Sequence, residues 1–309
     1  MGLLGRLRNS KRRQRELAQQ VETARKSGVL EQFGNTLPRE TNEKYMDYWR
    51  SCAGESAYRL DILDHASPAI VVRSAVARTT ALDMSAKLTN EIKAQSHRSL
   101  VDTARTTLAR LTRRPYVNLK RPLTLFGPAV LSVFDGELGR LVRAQYGAEF
   151  TVLWCDCYRA TVGRPTASWL WHFDNVPLPA LKVLLYLSDT KGTGATTRML
   201  SYAASQALKE RGYLGLTVAD RTDDIEMLAG GWNIPITVHA PELEAGDALL
   251  FHTNCFHQAV MPSQGFRDVM TFFVLPARQP WRQSVGDLLR LENRPGGFPP
   301  DPERIPFWA

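Results

Sequence analysis

The sequence predicts an α+β protein, with a mainly β core that follows a helical N-terminal half. Apolar residues recur at helical spacing in the first half, whereas short runs of β-branched and aromatic residues dominate after residue 146. Gly, Pro, Asp or Asn bounds these runs, as is typical of short strands joined by turns. The spacing favours a β-sandwich or barrel over a parallel sheet alternating with helices. With 309 residues, 44% of them hydrophobic, the chain can bury a sizeable core.

The N-terminal segment, residues 1–35, is predicted to be a basic amphipathic helix whose helical pattern covers residues 2–26. Six of the 39 Lys and Arg residues, and no acidic residue, lie in residues 1–15. The net charge of +8 is therefore largely a property of this arm, and specific nucleic-acid binding is not expected. Two interpretations stay open: a solvated helix that packs lightly on the body, or a segment that contacts anionic lipid or an acidic partner.

Residues 36–127 are predicted to be a helical segment that packs on the core. Within it, residues 97–114 place their apolar side chains on one helical face and end just before Pro115.

Residues 128–280 are predicted to form the β core. The predicted strands are Phe150–Val162, Leu181–Leu187, Ile234–Val238, Ala248–Phe251, His257–Met261 and Val269–Leu275. Residues 189–233 interrupt this rhythm as a lid-like insertion with a short helix at Ser201–Arg211. The Pro-rich residues 281–309 are expected to form an extended tail.

Cysteine usage and hydropathy indicate the compartment. None of Cys52, Cys155, Cys157 and Cys255 lies in a C-x-x-C pair, and reduced thiols are the favoured interpretation. The chain has neither an 18-residue apolar stretch nor the apolar segment of a secretory signal. We expect a cytoplasmic protein, with peripheral membrane contact through residues 1–15 left open; the sequence does not indicate the oligomeric state.

A His and a carboxylate two residues apart, His172 and Asp174, are the most informative pair in the chain. On a strand, this spacing places both side chains on one face. A later His would complete the two-His, one-carboxylate triad that binds non-haem Fe(II), and His252 and His257 are the two candidates. The His-x-Asp tripeptide alone is a weak signal.

Arg267 favours His257 as the second His ligand. A 2-oxo dicarboxylate that chelates iron at one end needs a cation for its far carboxylate, and Arg offers a planar bidentate fork. On adjacent antiparallel strands, His257 and Arg267 can both point into a barrel, whereas His252 has no such partner at that offset.

Two segments resemble the phytanoyl-CoA dioxygenase family. The first runs from Trp171 to Asp174 and continues through Leu181–Asp189; the second runs from Gly246 to Phe251, followed by His257 and Arg267. The resemblance covers about residues 150–277. It implies a double-stranded β-helix (a jelly-roll or cupin-like core), Fe(II) as the metal, 2-oxoglutarate as co-substrate and O2 as oxidant. It also implies that His172, Asp174 and His257 are the catalytic metal ligands and that Arg267 anchors the co-substrate.

The sequence departs from the family pattern at two places. Ala259 stands where the family often has a small hydroxyl residue, which weakens one expected contact to the co-substrate. Residues 194–200 replace a Pro-Gly-Ser-His turn, which implies an altered substrate pocket. By contrast, Asp174 retains the carboxylate that related halogenases replace, which favours hydroxylation or another oxidation.

Five further residues are candidates for ligand binding. Lys182 lies inside an apolar strand and is expected either to contact a carboxylate of the substrate or co-substrate or to extend to the rim. Tyr158, Arg159 and Ser168 precede the metal motif and are candidates for binding the co-substrate. Arg198, in the insertion, is a candidate for binding an anionic substrate group.

The predicted function is a 2-oxoglutarate-dependent hydroxylase of a small-molecule, carbohydrate or lipid-linked substrate, which releases succinate and CO2. One alternative is a jelly-roll metal-binding module without oxygenase activity. Another is an oxygenase that acts on protein or RNA, with residues 1–15 as a tether.

Overall fold

The computed structural model describes residues 3–54, 60–64, 67–102, 116–119 and 122–284. Its strands form two antiparallel sheets. In chain order the strands are β1 (Ala69–Val72), β2 (Tyr116–Leu119), β3 (Glu149–Thr161), β4 (Leu181–Tyr186), β5 (Thr197–Met199), β6 (Ala248–His252), β7 (His257–Ala259) and β8 (Phe266–Ala277). Six of them form one sheet in the order β1-β6-β4-β8-β3-β2, and β5 pairs with β7 in a second, smaller sheet.

Ten α-helices lie within the described residues, most of them in the first half of the chain. They are α1 (Leu3–Lys26), α2 (Val29–Phe33), α3 (Arg39–Ala53), α4 (Asp61–Asp64), α5 (Arg78–Asp102), α6 (Pro122–Phe126), α7 (Pro128–Leu131), α8 (Glu137–Tyr146), α9 (Tyr202–Arg211) and α10 (Ile225–Gly231). None of these helices combines the length and the apolar character needed to cross a bilayer.

The helix predicted over residues 2–26 is confirmed as α1. The side chains of residues 1–14 lie outside the described part, so membrane contact through residues 1–15 stays a prediction. The helix predicted at 97–114 is described only as far as residue 102, within α5.

The N-terminal half is less purely helical than predicted, because it also contributes β1 and β2 to the large sheet. β1 reads Ala-Ile-Val-Val, and β-branched residues fit a pleated strand better than a helix. Its partner is β6, with Ala69 opposite Phe251. β1 has only four residues, and its partner strand is distant in sequence. Its own residues are therefore too few to show a strand periodicity.

The insertion predicted at 189–233 contains β5, α9 and α10. The helix predicted at Ser201–Arg211 is confirmed as α9, and the Ser201 side chain accepts a hydrogen bond from the Ala204 backbone at its start. A role as a lid stays a prediction. Of the predicted extended tail, only Trp281–Ser284, a 3-10 turn, is described; residues 285–309 lie outside the described part.

The strand predicted at Ile234–Val238 is wrong, since these residues form no strand. Pro235 has no backbone N–H to donate to a sheet, which opposes the β-branched pattern around it. Pairing resumes only at His239, which forms an isolated bridge with Met199.

Alternation along the strands gives the large sheet two different faces. On β3, Cys155 and Cys157 point into the main apolar core, whereas Trp154, Asp156 and Tyr158 line a cavity. On the core side, α3 and α8 pack against the sheet. The cavity lies on the other side, where β5 and β7 also contribute lining residues.

A buried ion pair joins β3 and β8 on the core side. Asp268 accepts two hydrogen bonds from Arg159, at 2.7 and 2.5 Å, and a third from Ser85 of α5 at 2.6 Å. Asp268 is fully buried, so each of these donors offsets part of its lost hydration. Because Asp268 follows Arg267 directly, this pair also fixes the strand that carries Arg267.

We expect Arg159→Met to lower the free energy of unfolding by about 3 kcal/mol, because it leaves the Asp268 carboxylate buried without its cation. Urea denaturation measures the change. Arg140→Met, which breaks an exposed pair with Glu137, is the matched control and should leave the midpoint nearly unchanged. Equal shifts for both variants would contradict the assigned role of the buried pair.

Candidate metal centre and its cavity

The two His residues of the predicted triad are joined through their backbones. The His172 N–H donates to the His257 carbonyl at 3.1 Å, and the His257 N–H donates back at 2.8 Å. This bridge continues the small sheet beyond β7 and sets the imidazole ring centroids 4.4 Å apart. Local pairing therefore brings together two residues that lie far apart in sequence.

Backbone carbonyls orient both imidazoles in the same way. Nδ1 of His172 lies 2.8 Å from the Leu170 carbonyl oxygen, and Nδ1 of His257 lies 2.9 Å from that of Cys255. Each Nδ1 is therefore the donor, which leaves both Nε2 lone pairs available to a metal. Burial lowers the pKa of His172 well below its usual value and that of His257 to about 4, so both rings are neutral near pH 7.

Asp174 completes the cluster. Its Oδ1 lies 3.9 Å from His172 Nε2, and its Oδ2 lies 3.6 Å from His257 Nε2. One ligand atom from each of the three residues lies within 4.8 Å of the others. Between His172 and Asp174, Phe173 turns the opposite way and packs edge-on against Phe256. Two neutral imidazoles and one carboxylate form the donor set that suits a divalent transition metal.

Lys182 lies against the same carboxylate. Its Nζ is 2.5 Å from Asp174 Oδ2 and 3.5 Å from His257 Nε2. Burial alone would raise the pKa of Asp174, but the nearby ammonium and the two His residues outweigh it and hold the pKa at about 2. Lys182 is therefore beside a carboxylate of the protein itself, and its predicted contact with a substrate or co-substrate carboxylate stays a prediction.

Arg267 is buried in the cavity wall with no carboxylate beside it. Its exposed fraction is 1%, and its Nη2 donates to Tyr186 Oη at 3.0 Å and to Thr197 Oγ1 at 2.7 Å. Among the described residues, its Nε and Nη1 have no hydrogen-bond partner, and no acidic side chain forms an ion pair with it. A buried cation whose donors lack partners is stabilised by an anionic ligand, and a carboxylate is a common ligand of a guanidinium.

One cavity of about 230 Å³ contains both features. His172, His257, Lys182 and Arg267 all line it. The remaining lining residues, mostly aromatic or polar, are Tyr116, Asn118, Trp154, Asp156, Tyr158, Ala167, Ser168, Trp169, Leu184, Thr197, Phe251, Ala259 and Thr271. Of the predicted co-substrate residues, Tyr158 and Ser168 line the cavity, and their roles stay predictions. Arg159 does not line it, because it pairs with Asp268 on the other face of the sheet.

Two other predicted or competing residues lie elsewhere. His252, the alternative ligand, uses Nε2 on the Leu178 carbonyl at 2.7 Å and accepts the Asn254 N–H at Nδ1, so neither nitrogen is free for a metal. Arg198 forms an ion pair with Glu226 at 3.0 Å and does not line the cavity. Its predicted contact with substrate would require it to leave that partner.

Several polar residues of the cavity are not predicted from the sequence, among them Asp156 and Thr197. Asp156 stands between Trp154 and Tyr158 on one face of β3. The sequence shows that side chains alternate between the two faces of this strand, but it does not show which of the two faces lines a cavity. Thr197 lies in a three-residue strand, too short to give a periodic signal.

No protein-family model matches the sequence, and a search of curated proteins finds no match. The resemblance to the phytanoyl-CoA dioxygenase family therefore stays a prediction.

Solved structures with a low similarity include HygX from Streptomyces hygroscopicus with nickel and 2-oxoglutarate bound (17% identity, TM-score 0.43, covering 72% of this chain and 87% of that one). A second is the non-haem α-ketoglutarate-dependent carbocyclase SnoK from nogalamycin biosynthesis (16%, TM-score 0.43, 78% and 85%). A third is apo EctD from S. alaskensis (12%, TM-score 0.40, 69% and 75%). At these values the likenesses establish neither the fold nor the function of this chain.

We expect His172→Ala or His257→Ala to weaken the binding of Ni(II) more than about 100-fold, above the roughly 10- to 100-fold cost of losing an outer partner of a ligand. Isothermal titration of the metal-free protein measures the affinity. His252→Gln, checked for folding by circular dichroism, should retain it. A folded His252→Gln variant that loses Ni(II) while His257→Ala retains it would reverse the ligand assignment.

Proposed function

We propose that the protein is an Fe(II)- and 2-oxoglutarate-dependent oxygenase that oxidises a C–H bond of a small-molecule, carbohydrate or lipid-linked substrate. One observation carries the proposal: the buried guanidinium of Arg267, which has no carboxylate partner among the described residues, lines the same cavity as His172 and His257, the two His residues that form a cluster with Asp174. A metal site alone fits many functions. A metal site that shares a small cavity with an uncompensated arginine fits a ligand with a chelating end and a carboxylate end.

The residues present fit both groups. His172, Asp174 and His257 would hold Fe(II), which is bound by this donor set with positions left open for other ligands. Arg267 would hold the far carboxylate of 2-oxoglutarate. When bound, Fe(II) and 2-oxoglutarate supply the activation of O2 that oxidises the substrate and releases succinate and CO2.

The chain's own part is binding, orientation and exclusion of water. The hydroxyls of Tyr186 and Thr197 hold Nη2 of Arg267 and so fix the orientation of the guanidinium, whose Nε and Nη1 remain without a partner among the described residues. Lys182 places a second cation near the metal end, where it can contact the co-substrate's chelating carboxylate. Trp169 and Phe251 supply apolar wall, which keeps the local dielectric low and strengthens these contacts.

The architecture supports a finer assignment of the fold. We propose a double-stranded β-helix, in which the large sheet and the β5–β7 sheet are the two walls. The His172–His257 bridge at the small sheet and Arg267 on the large sheet place the two ends of the expected ligand on opposite walls. This arrangement also supports membership of the phytanoyl-CoA dioxygenase-like family.

The direct test is binding of 2-oxoglutarate to anaerobic Fe(II) protein, followed by its visible charge-transfer absorption, and then succinate formation in air. We expect Arg267→Gln to weaken 2-oxoglutarate binding by roughly 30-fold or more, because a buried charge-assisted pair is lost (about 2 kcal/mol or more). Arg198→Gln, which removes an arginine outside the cavity, is the matched control and should bind normally. Absence of the absorption band in the wild-type protein would refute the proposed function.

Lys182→Met should change two affinities in opposite directions. Without the ammonium beside Asp174, the carboxylate is freer to bind a dication, so Ni(II) affinity should rise about ten-fold (about 1.4 kcal/mol). The Ni(II)-loaded variant should bind 2-oxoglutarate more weakly, because one cation near its chelating end is gone. Titration calorimetry measures both, with the exposed Lys191→Met as the control. Changes of the same sign would contradict a contact between Lys182 and the co-substrate.

A further inference from the structure

We propose that Asp156 binds a cationic group of the substrate, so that the substrate class is an amine-bearing compound held by its ammonium. This proposal adds a substrate class to the proposed function, and its relevance to catalysis rests on that function. It assigns a role to the one acidic group of the cavity, among the described residues, that belongs to neither the metal cluster nor an ion pair.

Asp156 lines the cavity from the large sheet. It is on β3, opposite Thr271 of β8, and Thr271 is in turn opposite Leu184 of β4. Thr271, Leu184 and Asp156 all line the cavity. β8 separates the strand of Asp156 from the strand of Lys182, so this carboxylate lies to one side of the metal centre.

Asp156 has no cation of its own in the described part of the chain. Its carboxylate is hydrogen-bonded by the Cys157 backbone N–H, and no Lys, Arg or His forms an ion pair with it. Burial raises the pKa of Asp156 to about 6, because the charged form has lost hydration without gaining a countercharge. The contrast is Asp268 of β8, which lies three positions from Thr271 on the other face of the sheet and is neutralised by Arg159.

The cations of the cavity are already engaged. Lys182 contacts Asp174, and Arg267 is the site for the co-substrate's far carboxylate under the proposed function. A second anionic ligand group would therefore meet Asp156 as a like charge, whereas an ammonium would neutralise it. A neutral hydroxyl can also donate to Asp156, but a charge-assisted hydrogen bond is roughly twice as strong.

Aromatic residues of the cavity favour the same ligand chemistry. Trp154 is two residues from Asp156 on the same face of β3, and Tyr116 and Trp169 line the cavity farther along β3, near Tyr158 and Ala160. Aromatic faces attract cations, most strongly where water is excluded. A carboxylate together with aromatic walls is a combination suited to an ammonium group.

The test compares two ligands of the same shape, cyclohexylammonium and cyclohexanol. Dissociation constants are measured by titration calorimetry or ligand-observed NMR for the metal-free protein and for the Ni(II) protein with 2-oxoglutarate, in which no turnover occurs. We expect the wild-type protein to bind cyclohexylammonium at least ten-fold more tightly than cyclohexanol. Asp156→Asn should reduce this ratio to about one, and Asp156→Glu should restore part of it. Asp83→Asn removes the same charge from an exposed position of α5 and should leave the ratio unchanged.

Equal affinities of the wild-type protein for the two ligands, or no binding of cyclohexylammonium at millimolar concentration, would overturn the proposal. A preference that survives Asp156→Asn would also overturn it. The ratio is measured within one variant, so a partial loss of folded protein does not imitate the effect. Failure of the Ni(II) protein to bind 2-oxoglutarate would refute the proposed function instead, and the metal-free measurement would still decide whether Asp156 binds a cation.

Discussion

A guanidinium buried without a carboxylate is the constraint on which the rest of the cavity depends. Removing Arg267 from water costs free energy that its two hydroxyl partners recover only in part, because both bind the same nitrogen. Those partners are Tyr186 on the large sheet and Thr197 on the small sheet, and their hydroxyl oxygens also lie 2.9 Å from each other. Arg267 thus connects the two walls while its remaining donors stay open. Such an arrangement is stable only in a fold that other contacts already determine.

Those other contacts lie on the opposite face of the large sheet. Phe134 contacts Phe150, Phe272 and Trp281 edge-to-face, with ring centroids 5.2 to 5.4 Å apart. By contrast, the small sheet consists of two three-residue strands, extended by the His172–His257 bridge. Its stability depends on few backbone pairs, so a metal bound by residues at this bridge would stabilise the folded state by mass action. Metal binding and the geometry of the cavity wall are therefore coupled.

Elements whose signal is local are predictable from the sequence. The composition predicts the strands around residues 150–161, 181–186 and 266–277. His172 and Asp174 gain their support mainly from the strand that follows them, because the His-x-Asp spacing alone is a weak signal. His257 was preferred over His252 because of Arg267, and the structure gives an independent reason, since both nitrogens of His252 are occupied. β1 and β2 were missed because short strands at the two edges of the sheet owe their conformation to distant partners. Asp156 was missed because the face of a strand that meets a cavity is a property of the tertiary structure.

The register of the large sheet also limits how a substrate can lie. Along β8, Arg267 is opposite Ala160, Thr271 is opposite Asp156, and Phe273 is opposite Lys182. Measured along β8, the position of Asp156 therefore lies between the positions of Arg267 and Lys182. Asp156 itself is on β3, on one side of β8, whereas Lys182 is on β4, on the other side. His172 and His257 belong to the small sheet, the other wall of the cavity. Under the proposed function, a substrate group held at Asp156 would therefore lie on the wall opposite these two residues, and the C–H bond to be oxidised would lie some atoms away from the charged group.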